Sequence, residues 1–258
     1  MTLRAPDPGF FVGYFKKVPV AIRRFVLIFG AAFAVGLASA SAVLSLSAAN
    51  PGPGAFVNEL KGSHLTGIIE TRPYPILRVP AANGQPARAV MIAGQGKTGM
   101  QDAAAKLDGQ WADAGGMFVK RGDLDMLLIG GKTGLRTATE TPAAAATLPA
   151  PLSLGRWRLT GEICDGKCYG GAMRPGNGLA HKACANLCIT GGVPPVFVTT
   201  SPVEGQSFLL MADADGGPLP INYLDRTAVL LELEGTVERR DDLLIFKVDG
   251  PAEKEGSS

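Results

Sequence analysis

The feature that most constrains this chain is an uncharged apolar segment close to its N-terminus. No charged residue occurs between Arg24 and Glu59, and residues 25–46 are mostly Ala, Val, Leu, Ile and Phe without proline. About 22 residues rising about 1.5 Å each span a hydrocarbon core of about 30 Å. In lipid the backbone must satisfy its own hydrogen bonds, so such a segment is helical. The sequence therefore predicts a single transmembrane helix over residues 25–47.

Charge on either side of this segment predicts its orientation. One acid, Asp7, and five basic residues precede it, and the first basic residue after it is Lys61; the five are Arg4, Lys16, Lys17, Arg23 and Arg24. The positive-inside rule then predicts a cytoplasmic segment at residues 1–24, an integral helix in a bacterial cytoplasmic membrane, and the remaining chain in the periplasm. The alternative is a signal peptide cleaved near Ala40 or Ala42, where small residues alternate. Both interpretations export the rest of the chain.

Composition and the positions of Pro-rich and Gly-rich segments divide the exported part into two modules. The 34 glycines and 19 prolines of the 258 residues indicate short strands and many turns. A Pro/Gly break covers residues 50–54, and an Ala/Pro-rich stretch without strand pattern covers residues 137–153. We expect the second stretch to be a linker between modules at residues 60–136 and 154–250, and the charged tail at 251–258 to be disordered.

The two modules share a sequence pattern. Each opens with Leu-Thr-Gly, at Leu65–Gly67 and at Leu159–Gly161, and each closes with a glycine and two apolar strands around a polar turn. The closing segments, residues 116–129 and 235–248, place that turn at the same offset. A short helix is expected before them, at Gln101–Leu107 in the first module and as a turn at Asn222–Arg226 in the second. The sequence predicts a mainly β protein with two tandem OB-like five-stranded barrels; a β-sandwich is the alternative.

A Cys/His insertion distinguishes the second module from the first. All four cysteines and one of the two histidines lie within residues 164–188: Cys164, Cys168, His181, Cys184 and Cys188. His181, Cys184 and Cys188 are spaced i, i+3 and i+7, so on a helix they share one face. Cys164 and Cys168 have the same parity, so on a strand they would face the same way.

This segment resembles a group of poorly characterised exported bacterial proteins. They carry D-x-x-C and then H-x-x-C-A-x-x-C-x-x-G-G-x-P inside a small OB-like domain, and the matching residues are Asp165, Cys168, His181, Cys184, Ala185, Cys188, Gly191, Gly192 and Pro194. The resemblance covers residues 159–249 and implies an OB-like fold and an exported location, without an assigned activity. Cys164 departs from the pattern, in which an apolar residue is usual.

Three interpretations of the cluster remain open from sequence. Structural disulfides among Cys164, Cys168, Cys184 and Cys188 are the default in an exported chain, because they would staple an insertion that lacks its own core. The second is a metal site for Cu or Zn formed by these cysteines and His181, since thiolates and imidazole suit both metals. Cys164 and Cys168, which are separated by three residues, could bind copper together with His181 and Met173. The third is a dithiol redox role, although the C-x-x-C spacing is missing.

Nucleotide and nucleic-acid binding are not expected. Gly96-Lys97-Thr98 and Gly131-Lys132-Thr133 resemble the end of a P-loop, but the required first glycine is replaced by Met91 and Met126. A net charge of +2 with 7% aromatic residues argues against a nucleic-acid partner.

Two hypotheses of function follow. The first is a non-catalytic, membrane-anchored module that binds other membrane or periplasmic proteins, as an accessory or assembly subunit of a respiratory or other redox complex. This hypothesis rests on the predicted membrane anchor, the tandem barrels and the lack of a recognisable catalytic motif. The second is a metal-handling or thiol-redox protein that acts through the Cys/His cluster.

Overall fold

The computed structural model describes residues 18–47, 52–57, 63–82, 84–131, 134–140 and 148–250. The chain divides into two compact units, Met1–Ala48 and Ala49–Ser258. Among the described residues, the first unit contains one helix and the second contains the β-strands. The predicted tail at 251–258 and most of the predicted cytoplasmic segment lie outside the described residues.

Helix α1 (Val20–Ser47) confirms the predicted apolar helix. It begins at a proline, and the Arg23 N–H donates to the Pro19 carbonyl at 2.9 Å. Its section Val20–Leu44 is long and apolar enough to cross a membrane, as a signal sequence near an N-terminus can also be. The helix begins five residues before the predicted span, so Arg23 and Arg24 lie within its first two turns. Arginine tolerates such a position because its long stem can carry the charge to the membrane interface.

The first barrel is closed by five strands. They are β2 (Ser63–Glu70), β3 (Ile76–Val79), β4 (Arg88–Gly94), β5 (Trp111–Arg121) and β6 (Leu124–Ile129). Around the barrel they follow the order β2-β3-β4-β6-β5, and β5 pairs with β2 again. Two short strands, β1 (Ala55–Val57) and β7 (Leu135–Thr137), pair with β5.

The second barrel repeats this arrangement. Its strands are β8 (Leu152–Asp165), β9 (Pro195–Val203), β10 (Gln206–Ala212), β11 (Leu230–Arg240) and β12 (Leu243–Val248). They close in the order β8-β9-β10-β12-β11. In each barrel only the third and fifth strands are parallel, as the pairs Met91↔Met126 and Leu210↔Ile245 show. The predicted pair of OB-like barrels is confirmed.

The expected short helices also occupy matching places, between the third and fourth strands. They are α2 (Gln101–Ala105) and a 3₁₀ turn at Ile221–Arg226. The barrels differ between their first and second strands. Residues 71–75 separate β2 from β3, whereas residues 166–194 separate β8 from β9 and include helix α3 (Lys182–Thr190).

Close strand packing explains why both modules open with Leu-Thr-Gly. A Cβ atom on Gly67 would lie 2.4 Å from the Arg78 carbonyl oxygen, and one on Gly161 would lie 2.3 Å from the Val198 oxygen. Arg78 and Val198 hold the same position on the second strand, because they pair with Ile68 and Glu162 respectively. Only glycine allows the first and second strands to approach so closely.

The two barrels share a hydrophobic core in addition to their own. Along β4, Val90 and Ile92 point into the first barrel, while Met91 and Ala93 join a cluster containing residues of both barrels. Strand β10 does the same from the second barrel, with Leu209 inside and Leu210 in the shared cluster. These strands are therefore buried on both faces, which explains their continuous apolar sequences.

Polar contacts also connect the barrels. Arg78 on β3 reaches the β11–β12 turn, where its Nε and Nη2 atoms lie 2.8 and 2.9 Å from the two carboxylate oxygens of Asp241. The Ala89 N–H donates to Asp242 at 2.7 Å, and the Leu219 N–H donates to the Tyr74 hydroxyl oxygen at 3.1 Å. The stretch predicted as a linker thus connects barrels that are in direct contact; its residues 141–147 lie outside the described part.

Candidate metal and thiol site

The candidate site is built by the insertion of the second barrel. The chain leaves β8 at Asp165, makes a π-type turn at Cys168–Ala172 and a 3₁₀ turn at Leu179–His181, and then forms α3. Cys184 and Cys188 are four residues apart on α3, so their side chains share one face of that helix. Cys168 reaches the same face from the π-type turn.

Three cysteine sulfurs meet at this place. The Sγ atoms of Cys168, Cys184 and Cys188 all lie within 4.8 Å of one another, and Cys184 is the only half-buried member of this trio. The disulfides predicted from the sequence are not present, since all four cysteines of the chain are free thiols. The sulfurs do not pair two by two because three converge on one point while the fourth lies apart.

That fourth sulfur belongs to Cys164, which is in neither ligand group found in the described part of the chain. Its thiol on β8 donates toward Glu162 Oε1 at 3.4 Å, and burial raises its pKa well above the usual value. The parity argument placed Cys164 beside Cys168, but the strand ends at Asp165, so Cys168 lies outside it.

A second group adjoins the first and shares Cys168 with it. Potential ligand atoms of Asp165, Cys168 and His181 also lie within 4.8 Å of one another, and all three residues are buried. The Asp165 carboxylate lies 3.0 Å from His181 Nε2 and accepts a hydrogen bond from the Cys168 N–H at 2.8 Å. Asp165 therefore fixes the positions of both the imidazole and the π-type turn.

The thiols of Cys168 and Cys188 titrate as a pair. A hydrogen bond between them lowers the pKa of Cys188 and raises that of Cys168, and burial raises the pKa of Cys168 further. Cys188 is therefore the member of the pair that loses its proton first. Such a thiolate is the form that binds metals and attacks electrophiles.

The first barrel contributes a cation to this cluster. Lys97, in the loop after β4, places Nζ 2.8 Å from Cys184 Sγ, and this contact raises the pKa of the lysine. Buried Lys167 is hydrogen-bonded in return to the carbonyls of Gln95 and Gly96. The site is thus assembled from both barrels.

Two adjacent glycines in the second barrel, Gly191 and Gly192, allow the Lys97 loop of the first barrel to pack closely against them. A Cβ on Gly191 would lie 1.9 Å from the Lys97 carbonyl oxygen. The Gly99 N–H donates to the Gly191 carbonyl at 2.7 Å, and Gln101 Nε2 donates to the Gly192 carbonyl at 2.8 Å. Gly96-Lys97-Thr98, one of the two sequences that resemble the end of a P-loop, therefore lies in a loop that packs against the thiol cluster.

Two openings adjoin the cluster. A cavity of about 240 Å³ has Cys168 and Met173 in its wall, and Met173 Sδ lies 3.6 Å from Cys184 Sγ. A wider groove of about 680 Å³ lies between the barrels, beside the Gly191–Gly192 turn, and Tyr74 and Leu219 contribute to its lining. Met173, which the sequence placed in a copper set, is therefore near the thiols.

Comparison of the chain with known protein families, with curated proteins and with solved structures returns no match. The chemistry of the site itself is therefore the basis for a functional proposal.

Proposed function

We propose that this protein binds a soft metal ion, Cu(I) or Zn(II), in an extracytoplasmic domain anchored to the membrane. The observation that carries the proposal is the convergence of Cys168, Cys184 and Cys188, whose free sulfurs lie within 4.8 Å of one another. Thiolates are the side chains that select these two metals over Mg²⁺ and Ca²⁺.

The spacing of the sulfurs supports this assignment. A metal–sulfur distance of about 2.3 Å corresponds to sulfur–sulfur separations of about 3.8–4.0 Å, so sulfurs within 4.8 Å of one another need to move together by at most about 1 Å. His181 is the candidate fourth ligand, because it belongs to the adjoining group, which has Cys168 in common with the three cysteines. Asp165, 3.0 Å from its ring, would orient the imidazole as carboxylates commonly do beside metal-bound histidines.

Charge around the cluster is consistent with thiolates. Three deprotonated sulfurs would carry three negative charges, of which Zn(II) balances two and Cu(I) one. Lys97, in contact with Cys184, and buried Lys167 supply positive charge at the same place. The two lysines would therefore reduce the repulsion among the thiolates before and after a metal binds.

The experiment is metal loading of the full chain in detergent under reducing, oxygen-free conditions. We expect about one Cu(I) or Zn(II) per chain by elemental analysis. Cys188→Ser should weaken binding by more than the roughly 10–100-fold that loss of an orienting partner causes. Cys164→Ser is the matched control and should leave the stoichiometry unchanged. Two disulfides in the purified protein and no bound metal would overturn the proposal.

The periplasmic location is part of the proposal and is supported by the basic residues up to Arg24 and the uncharged stretch that follows. A protease added to intact spheroplasts should degrade residues 49–258 and spare the N-terminus. The intact mass of the membrane-extracted protein decides between a retained helix and cleavage near Ala40 or Ala42. Protection of the β domain from the protease would show the opposite orientation.

A second candidate is the accessory or assembly subunit, favoured by apolar surface near the insertion. Leu179, Leu187 and Ile221 are 60–75% exposed, and Ile221 also lines the 680 Å³ groove. Cross-linking in native membranes from residues of this groove should capture a protein of a respiratory or other redox complex. Recovery of the chain alone would count against this role.

A further inference from the structure

The cavity of about 240 Å³ beside the thiols is formed by three separate parts of the chain. Pro53 and Gly54 supply one side, Arg121 at the end of β5 supplies another, and the segment from Cys168 to Pro175 supplies the rest. Its volume is below the roughly 300–1,000 Å³ of pockets for drug-sized ligands, so its occupant must be small.

The wall of this cavity carries positive charge. Arg121 and Arg174 are both in the wall, and the wall contains no acidic residue. The Arg121 guanidinium stacks on the Tyr169 ring at 4.2 Å and makes one long contact, 3.5 Å, to the Tyr169 carbonyl, and its Nε atom is buried without a hydrogen-bond partner.

Among the residues that the structure describes, no carboxylate oxygen lies within 4.0 Å of Arg121 or Arg174. Arg121 is half-buried and Arg174 is exposed. A partly buried guanidinium such as that of Arg121 without an acidic partner is unfavourable, and a bound carboxylate would relieve this by charge-assisted hydrogen bonds. The cavity is therefore suited to an anion.

The same wall also contains sulfur atoms. Cys168, which belongs to both ligand groups, and Met173, in contact with Cys184, are in the same wall as the arginines. In a cavity of about 240 Å³, a small molecule held by its carboxylate at the arginines can thus also reach the sulfur atoms. For its other end to interact with a soft metal ion, it must carry a soft donor atom.

We propose that this cavity binds a small anionic thiol, a molecule with one carboxylate and one thiol, as an exchangeable ligand of the metal. The inference rests on the proposed metal site. The sulfur–metal bond of the incoming thiol replaces the bond from His181, the thiol proton passes to solvent, and no electron is transferred. The cavity is then the route by which a low-molecular-weight thiol delivers the ion to the three cysteines or removes it.

The test compares three probes on the zinc-loaded full chain in detergent by calorimetry. 3-Mercaptopropionate carries both groups, propionate lacks the thiol, and 2-mercaptoethanol lacks the carboxylate. We expect 3-mercaptopropionate to bind at least tenfold more tightly than either of the others. Equal affinity for 3-mercaptopropionate and 2-mercaptoethanol would overturn the inference.

Variants locate the carboxylate. Arg121→Met and, separately, Arg174→Met should each reduce the advantage of 3-mercaptopropionate over 2-mercaptoethanol, and Arg121→Lys should restore part of it. Arg136→Met, at an exposed arginine outside the cavity wall, is the control. Full binding in both methionine variants would overturn the inference.

Zinc stoichiometry, measured on every variant, separates the two proposals. A chain that holds one zinc but shows no dependence on Arg121 or Arg174 refutes the thiol-ligand inference alone. An unsubstituted chain that holds neither zinc nor Cu(I) refutes the proposed function as well.

Discussion

Replacement of Arg78 by methionine is the most direct test of how the two barrels are held together. The side chain is 5% exposed and meets a fully buried partner, Asp241, through two hydrogen bonds of 2.8 and 2.9 Å. It also donates to Glu70 Oε1 and to the Pro149 carbonyl, both at 2.7 Å. These contacts, with the hydrogen bonds to Asp241 foremost, raise the pKa of Arg78 above its usual value, so the guanidinium is charged at every pH of interest.

The expected loss of stability in Arg78→Met follows from the burial of the ion pair. Methionine keeps the apolar stem of Arg78 but leaves the Asp241 carboxylate buried without its partner, and breaking one side of a buried ion pair costs about 3–5 kcal/mol. Arg158→Met is the matched control, because Arg158 forms its ion pairs with Glu232 and Glu234 at 65% exposure. Such a surface pair contributes at most about 1 kcal/mol.

The assay is urea unfolding of the full chain in detergent, followed by the fluorescence of its two tryptophans. Arg78→Met should lower the free energy of unfolding by several-fold more than Arg158→Met. Adding Asp241→Asn to Arg78→Met should recover part of the loss, since a neutral amide replaces the buried charge and asparagine tolerates the left-handed φ of 54° at this turn. Equal losses in Arg78→Met and Arg158→Met would refute the reasoning.

Three further predictions concern other parts of the chain. Gly171→Ala should lower the melting temperature more than Gly155→Ala. Both glycines have positive φ, but a Cβ on Gly171 would lie 2.2 Å from the Ala55 nitrogen, whereas no atom lies within 4 Å of a Cβ on Gly155. Equal shifts in melting temperature would contradict this. Burial raises the pKa of Tyr74 from 10.0 to about 12, so its neutral phenol stabilises the fold below pH 10 and this contribution is lost as the pH rises to 12. Tyr74→Phe should therefore lose stability less steeply over this range in urea titrations, and an unchanged slope would be evidence against it. Phe33→Arg should release the protein from membranes in alkaline carbonate extraction, since a charge near the bilayer centre costs about 2.5–3.5 kcal/mol; a membrane-bound variant would argue against a spanning helix.

The repeated barrel could be predicted from sequence because its constraints are local. The Leu-Thr-Gly openings encode a close strand contact, and the polar turns at Gly122 and Asp241 both adopt left-handed φ, at 58° and 54°. A residue pair at a hairpin turn sets the register of the two strands beside it. The order of the strands then follows from the same pattern appearing twice.

The composition of the thiol site could be predicted only in part. The helical spacing brought Cys184 and Cys188 to one face correctly, because both lie on α3. Strand parity did not place Cys168, since the strand ends three residues before it. Lys97 could not be found at all, because its position beside Cys184 depends on how two barrels pack against each other, which no local pattern records.

The docking of the Lys97 loop on the Gly191–Gly192 turn sets an order of events in the maturation of the protein. Lys97 and Cys184 are separated by 87 positions along the chain, and contacts between distant positions form late during folding. A newly made chain therefore exposes the thiols of Cys168, Cys184 and Cys188 until the second barrel closes against the first. During that interval the cysteines are open to oxidation and to unintended partners, so maturation is expected to depend on how quickly the two halves meet.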